Sequence, residues 1–432
     1  MHIKEHIGFT GLREILSGHF DRCADPRQRK GTYPLRDCLM SAFAMMYFQD
    51  SSLLEFQRRF QIVKEKNNLQ TIFKVDKIPQ DSQLRDLIDG CDPRCLEGIF
   101  SEFFHELQRA KQLEAFQVLD GYYNVALDGT EYFSSDKIQC PQCLTKTSAK
   151  GKVRYHHQIL QAAIVRQGVR QVIPLAPEPI QNRDGSEKQD CEINAAKRML
   201  KKIRQAHPKL RIILGGDGLY SKQPFVSALR EARMSYVLVA KPDDHKTLFE
   251  WVGELRRMGE IASMTSTGPD KVEHRYEWAN LVPINGDPKC DLVSFIEYRT
   301  FKNGKPAYHN SWITDHTVTR ENVSELARIG RCRWKIENET FNTLKNQGYH
   351  IEHNFGHGKL NLSYNFFIVN LLAFFFHQIL AMSDRLYQKA RSGFSARREF
   401  WNQLRCTIRI LVFKDWEHLL SFISDPDNYQ PP

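Results

Sequence analysis

Three carboxylates in this chain fall where an ordinary surface acid would not. Asp128 closes the run Asn124-Val125-Ala126-Leu127 and precedes Gly129-Thr130; Asp217 closes Arg211-Ile212-Ile213-Leu214-Gly215-Gly216 and precedes Gly218-Leu219-Tyr220. Both runs read as short, fully buried strands, which puts both acids at the C-terminal edge of a sheet, where open α/β folds carry their chemistry. One such Asp alone would ordinarily be a turn or cap residue. The third acid, Glu337, lies in a segment from Arg331 to Lys345 that reads as a helix. Stepping about 100° per residue puts Trp334, Phe341 and Leu344 on one side, with Ile336 at the margin. Glu337 projects into that stripe, with Arg333 one turn earlier on the same side, while Glu339 points toward the polar face. A carboxylate in apolar surroundings is costly unless it is paired or bound to a metal. Either Arg333 neutralises Glu337, or Glu337 joins the two Asp in a metal site. Three carboxylates can hold two Mg²⁺ ions about 3.5–4 Å apart, an arrangement suited to in-line phosphoryl transfer.

The order Asp128, Asp217, Glu337 resembles the DDE-type transposases of bacterial insertion sequences, whose catalytic domain is ribonuclease-H-like. The most specific part is Arg333-Trp334-Lys335-Ile336-Glu337-Asn338 followed by Leu344-Lys345-Asn346. Arg333-x3-Glu337 with a Lys two turns on resembles the signature around the third acid in one large branch of that family. Two departures stand out: Gly330 replaces the Tyr that branch carries three residues before the Arg, and Lys345 lies eight residues after Glu337 rather than seven. The resemblance covers roughly residues 30 to 380. It implies cleavage and strand transfer at the ends of a DNA element. Asp128 would bridge two Mg²⁺ ions (Mn²⁺ as substitute), Asp217 would hold one and Glu337 the other. It further implies double-stranded DNA as partner, for both element ends and target, and a homodimer in a synaptic complex. Arg333 and Lys345 would contact the scissile phosphate.

Other residues admit a chemical and a plain reading. Cys140-Pro141-Gln142-Cys143 is a C-x2-C knuckle followed after twelve residues by His156-His157, the opening half of a zinc site. On a strand the two His face opposite sides, so only one can join the pair. A fourth ligand must come from elsewhere, Cys191 being the nearest candidate; the plain alternative is a pair of free thiols in a hairpin loop. Cys91-x3-Cys95 reads as incidental. Trp312 is either a core aromatic at a strand end, the favoured reading, or a platform for an extruded DNA base, as in some similar transposases. His353 and His357 follow the Glu337 helix in a glycine-bearing turn, either as phosphate or metal-water contacts or as ordinary loop residues. Glu192 and Arg198 read as a solvated helix face, with Glu192 also placed to assist the site.

The elements that must position these groups follow from the patterning. Leu35 to Phe48, Leu53 to Phe60, Ser82 to Ile88 and Pro93 to Leu113 carry helical periodicity, with starts at Asp81-Ser82 and Asp92-Pro93. The basic turn Asp25 to Gly31 reads as a solvated loop or a phosphate-contacting arm. From Tyr122 the pattern turns to strands. Tyr155 to Val165 and Val169 to Leu175 form a hairpin across Gln167-Gly168, and then come a helix (192–205), the strand before Asp217, a helix near Pro224, a strand (235–240) and a helix (246–257). The fold expected is α/β: a ribonuclease-H-like mixed sheet with flanking helices, a β-rich insertion and an N-terminal all-α domain. The expected divisions are a helical DNA-binding domain (1–118), the first part of the catalytic domain (119–264), the insertion (265–314), the last part of the catalytic domain (315–385) and a C-terminal helical region (386–432). The apolar segment Leu362 to Leu380 is nearly long enough to span a bilayer. It contains Asn365, Asn370 and His377 and has no positive-inside asymmetry, which favours a buried helix and no membrane partner.

Composition agrees. A chain of 432 residues with 41% hydrophobic and 26% charged residues is an ordinary globular protein with room for sizeable cores, and its net charge of +10 suits a polyanionic partner. Ten Cys at irregular spacings and no signal peptide predict a reducing bacterial cytoplasm, at the nucleoid, rather than a disulfide scaffold. Two other functions share these features: a ribonuclease-H-like nuclease or resolvase that hydrolyses without strand transfer, and a domesticated DNA-binding protein that has lost an acid. All three acids are present.

Overall fold

The computed structural model describes residues 7–28, 31–61, 67–182 and 189–428; Arg29 and Lys30 of the basic turn lie outside them. The N-terminal part is helical: α1 (Phe9–Arg22), α2 (Leu35–Tyr47), α3 (Leu53–Gln61), α4 (Asn68–Phe73), α5 (Asp81–Gly90) and α6 (Pro93–Arg109). Four of these, α2, α3, α5 and α6, match the periodicity, and two more, α1 and α4, are not singled out by it. The Asp92 side chain accepts from the Arg94 amide and Pro93 takes the first helical position of α6, a start that needs no amide there.

Strands then alternate with helices: β1 (Gln117–Val118), β2 (Tyr122–Ser135), β3 (Leu144–Thr147), β4 (Val153–Ile164), β5 (Ile173–Pro174), β6 (Glu178–Ile180), α7 (Glu192–Ala206), β7 (Ile212–Gly216), α8 (Gln223–Glu231), β8 (Ser235–Val239) and α9 (Lys246–Met258). After them come β9 (Ala262–Thr267), β10 (Val272–Pro283), β11 (Leu292–Lys302) and β12 (Lys305–Thr314). These form one mixed sheet in the order β3-β4-β2-β7-β8-β12-β11-β10-β9, with β1 on β2 and with β5 and β6 on β4. β2, β7 and β8 run parallel and the remaining pairs are antiparallel. Three antiparallel strands followed by helix, strand, helix, strand is a ribonuclease-H-like core. The segment expected as a β-rich insertion between the second and third acids forms β9 to β12 and extends the same sheet, Trp312, Ile313 and Thr314 of β12 pairing with Val239, Leu238 and Val237 of β8.

Both faces of the central strands are covered, which is why β2 and β7 read as continuous apolar runs. Ile213 faces one apolar cluster and Leu214 the other, as alternation along a strand requires. The larger cluster contains α12 (Leu362–Ser383), whose aromatic and aliphatic side chains are buried almost all round. α12 is the one helix among the described residues long and apolar enough to cross a membrane, and it is packed inside the protein. Its side-chain amides donate within the core: Asn365 to the carbonyls of Ile88 (2.7 Å) and Cys91 (2.9 Å), and Asn370 to that of Tyr349 (2.6 Å). The chain ends in α13 (Arg385–Ser392), α14 (Arg397–Ile410) and α15 (Trp416–Ser424). Phe9 of α1 and Trp416 of α15 stack at 4.8 Å between ring centroids, so both chain ends and α12 share one core.

Cys95, expected to be incidental, is disulfide-bonded to Cys23, joining α6 to the C-terminal residue flanking α1, while the other eight Cys are free. Sequence spacing could not show this pairing, because helix packing brings the two residues together across 72 positions.

The smaller cluster decides the two readings of Trp312. Its side chain is fully buried among residues of β8, β10, β11 and the helix that follows the insertion, so it is a core aromatic and not an exposed base platform. Gly330 lies directly against it, and a Cβ built there would sit 2.6 Å from the indole. A side chain at 330 would displace the indole, so the departure at Gly330 and the burial of Trp312 are one packing arrangement. Trp312→Ala should therefore lower stability by about 3–5 kcal/mol and Gly330→Ala by about 1–3 kcal/mol, measured by urea unfolding. A Trp312→Ala protein of wild-type stability would contradict the core assignment.

Candidate active site

Strand register brings the two aspartates together. β2 and β7 pair in parallel from Tyr123 opposite Ile212 to Ala126 opposite Gly215. Continued two residues past the end of the pairing, the same register leads to Asp128 and Asp217, whose carboxylates are near enough to act on each other. β7 ends at Gly216, so Asp217 lies at its C-terminal edge as expected. Asp128 does not end its strand: β2 runs on to Ser135, paired through that stretch with β4 alone. The sheet edge at Asp128 is thus made by β7 stopping. Asp217 caps its own turn by accepting from the Leu219 amide (2.9 Å).

Glu337 reaches these acids from the helical layer. α10 (Val323–Arg331) is seated on β2 by Asn124, whose side-chain amide donates to the Ile329 carbonyl (3.1 Å). Cys332 and Arg333 form a turn, a π-helical stretch runs from Ile336 to Phe341, and α11 (Asn342–Asn346) follows. This interruption corrects the continuous phase expected from a regular helix. Trp334, expected in the buried stripe, is half exposed, while Ile336, Thr340, Phe341, Thr343 and Leu344 are buried. Glu337, its side chain 36% exposed, interacts with Asp128, whereas Glu339 lies 3.7 Å from Lys335. Arg333 Nη1 donates to Glu337 Oε1 at 2.8 Å and to Asp128 Oδ2 at 3.5 Å. Arg333 thus neutralises Glu337, as the first of the two alternatives has it, and the same guanidinium also reaches Asp128.

A fourth acid completes the group. Glu192, at the start of α7, accepts a hydrogen bond from the buried Tyr220 hydroxyl. Its carboxylate lies so close to Gly129 that a Cβ there would overlap it, which accounts for the glycine after Asp128. Sequence reasoning gave Glu192 chiefly a solvated role, since a helix start shows nothing of what stands across from it. Arg198 on the same helix serves a structural network, 2.7 Å from both Glu178 and Asp190.

The electrostatics follow from burial and like charge. Burial raises the Asp128 carboxyl to about 7; Arg333 opposes the rise, and Glu337, Glu192 and Asp217 add to it. Burial also raises Glu192, against the Tyr220 hydrogen bond, with Asp217 adding to the rise. Four carboxylates with Arg333 among them leave surplus negative charge, the condition a divalent cation relieves, and oxygen donors suit a hard ion. The group is looser than a single-ion cage. Among the described residues only two Cys/His groups bring their ligand atoms within 4.8 Å of one another, and Arg333 bridges Asp128 and Glu337.

A family model described as a transposase DDE domain matches residues 147–375, just over half the chain. The chain belongs to the DDE transposase family. A search of curated proteins found no match. The matched span holds Asp217 and Glu337 and begins after Asp128. Family membership makes this a DNA-cutting or transposition enzyme with DNA as its partner, of a kind that generally uses divalent metals.

The remaining expected residues of this transposase-family chain fall elsewhere. Lys345 Nζ pairs with Glu352 at 2.8 Å rather than with any of the three acids. His353 packs on Phe355. His357 turns toward Cys143 rather than toward phosphate, its Nε2 being 3.6 Å from that Sγ. His157, not His156, faces the Cys pair, and Cys191 is exposed and outside the group.

Two outcomes follow. Glu339→Gln should retain strand cleavage while Glu337→Gln abolishes it; the reverse would misplace the third acid. Asp128 binds a proton more tightly folded than unfolded, so its contribution to stability falls as pH rises from about 4 toward 7. In metal-free protein, Asp128→Asn should then raise Tm at pH 8 and lose that advantage by pH 5. Equal effects at both pH values would argue against the raised Asp128 carboxyl.

Proposed function

We propose that this chain cleaves DNA at the ends of an insertion element and joins the freed 3′ ends to target DNA. The observation that carries this reading is the meeting of Asp128 and Glu337 on one guanidinium, with Asp217 set beside Asp128 by register. Asp128, Asp217 and Glu337 would be the ligands of the divalent ions, for which we propose a pair of Mg²⁺ with Mn²⁺ as substitute, because oxygen donors suit such hard ions. Such ions, when bound, activate water or a 3′-hydroxyl and stabilise the leaving oxygen. The protein's own part is to hold the acids on a rigid sheet edge and to supply positive charge to the phosphate. Arg333 is suited to this, because its planar fork can exchange a carboxylate for a phosphate. Lys345, now paired with Glu352, is the second cation for that role.

The net charge of +10 favours approach to duplex DNA. We assign duplex recognition to the helices of residues 1–118, although they share their core with α12. The two ends of an element must be processed together, which calls for a homodimer in a synaptic complex. The working compartment is the bacterial cytoplasm, at the nucleoid.

The test uses duplexes carrying the DNA that flanks the coding sequence, with cleavage and strand transfer read on one gel. Asp128→Asn, Asp217→Asn and Glu337→Gln should each reduce cleavage by on the order of 10³-fold or more, with duplex binding retained in a mobility shift. Cleavage at the wild-type rate in Glu337→Gln would sink the assignment. Hydrolysis with no joined product would make the chain a nuclease or resolvase; binding with no cleavage would make it a domesticated DNA-binding protein.

A further inference from the structure

Cys140, Cys143, His157 and His357 meet at one point although they come from three parts of the chain. Cys140 and Cys143 lie in the knuckle between β2 and β3, His157 lies on β4, and His357 lies in the segment before α12. Sγ to Sγ is 3.8 Å, His157 Nε2 is 3.5 Å from each sulfur, and His357 Nε2 is 3.6 Å from Cys143 Sγ. Four donors around a tetrahedral zinc, at ordinary Zn–S and Zn–N lengths, would stand about 3.8 Å apart between sulfurs and about 3.5 Å apart between sulfur and nitrogen. The four measured separations fall on these edges. A disulfide needs sulfurs at about 2.05 Å, so the pair is not bonded, and both imidazoles present the same ring nitrogen to it.

We infer that these four side chains form a structural zinc site of Cys₂His₂ type, separate from the acidic site. It is closed in the way structural sites are, with four protein donors and no position for substrate. Cys143 and His157 are buried, and Phe133 packs on both imidazoles, at 5.7 Å from His157 and 4.4 Å from His357 between ring centroids. Binding releases the two thiol protons, so zinc affinity falls in acid.

The site fastens the segment between the Glu337 helix and α12 to the β2–β4 ladder that also carries Asp128. Phe133 pairs with His157 and Asp128 with Gln161 in that ladder. On its other side the same segment is held by Asp89 of α5, which accepts from the amides of Lys359, Leu360, Asn361 and Leu362, each at 2.9 Å. Zinc and Asp89 together would fix the chain that connects Glu337 to α12. The inference does not rest on the proposed function, since neither its ligands nor its test involve DNA.

The test is metal analysis of the full chain, purified reduced and without chelator from zinc-supplemented medium. About one zinc per chain should survive dialysis, and Cys140→Ser and His357→Ala should each lose it. Cys191→Ser and the triple variant Asp128→Asn/Asp217→Asn/Glu337→Gln should keep it, which separates this site from the acids. Cobalt added to chelated wild-type protein should give the visible bands and thiolate charge-transfer absorption of a tetrahedral site. Should a variant fail to fold, this wild-type spectrum still decides. Absence of both zinc and the cobalt spectrum would overturn the site, and zinc retained in folded His357→Ala would overturn the four-ligand assignment.

Discussion

The fold has to hold several carboxylates at one sheet edge against their mutual repulsion. Asp128 shows the strain of this, since burial and three neighbouring acids drive its carboxyl up to about 7 even beside Arg333. The groups stay together because each is fixed by something stronger than a surface contact: strand register for the two aspartates, the Asn124 bond that seats α10 for Glu337, and the buried Tyr220 hydroxyl for Glu192. Arg333 then completes a charge balance that the backbone has already imposed. Without such fixed partners, a group of like charges would relax toward solvent or take up protons.

Those fixed elements depend in turn on burial from both sides of the sheet. On one face α12 gathers the N-terminal and C-terminal helices into a single core. On the other, Trp312 and Gly330 lock α10 to the strands that lead out to β9. Arg331 at the end of α10 lies over Tyr298 and Tyr308, so the outer strands also touch the helix that leads to Glu337. The sheet edge, the helix and the outer strands therefore form one rigid support.

Much of this was legible in the sequence where local pattern and global packing agree. The apolar runs before Asp128 and Asp217 become buried strands, the helical segments named from periodicity fall within a few residues of their helices, and Glu337 meets Asp128 on Arg333. What failed depended on contacts between distant parts of the chain. The length of β2 beyond Asp128 is set by its pairing with β4, which a short apolar run does not reveal. Trp334 was misplaced because an unbroken 100° step cannot foresee a turn and a change of helix type. Glu192, His357 and the Cys23–Cys95 pair were missed or misassigned because their partners lie far away in sequence. The pairing of β12 with β8 is likewise a contact that alternation within the insertion does not reveal.

The π-helical stretch from Ile336 to Phe341 carries a consequence for recognising such sites. In a purely α-helical segment, one added residue rotates everything beyond it by about 100°. A π turn takes up an added residue within itself and lets the flanking α-helical segments keep their facing sides. Lys345 stands one position later than the related signature places it, and the widened turn from Ile336 to Phe341 contains Glu337 and precedes Lys345. A signature written as a fixed count of residues treats that offset as a defect, whereas a π turn is able to absorb one added residue. Searches that let the interval after the third acid vary by one would admit chains of this kind.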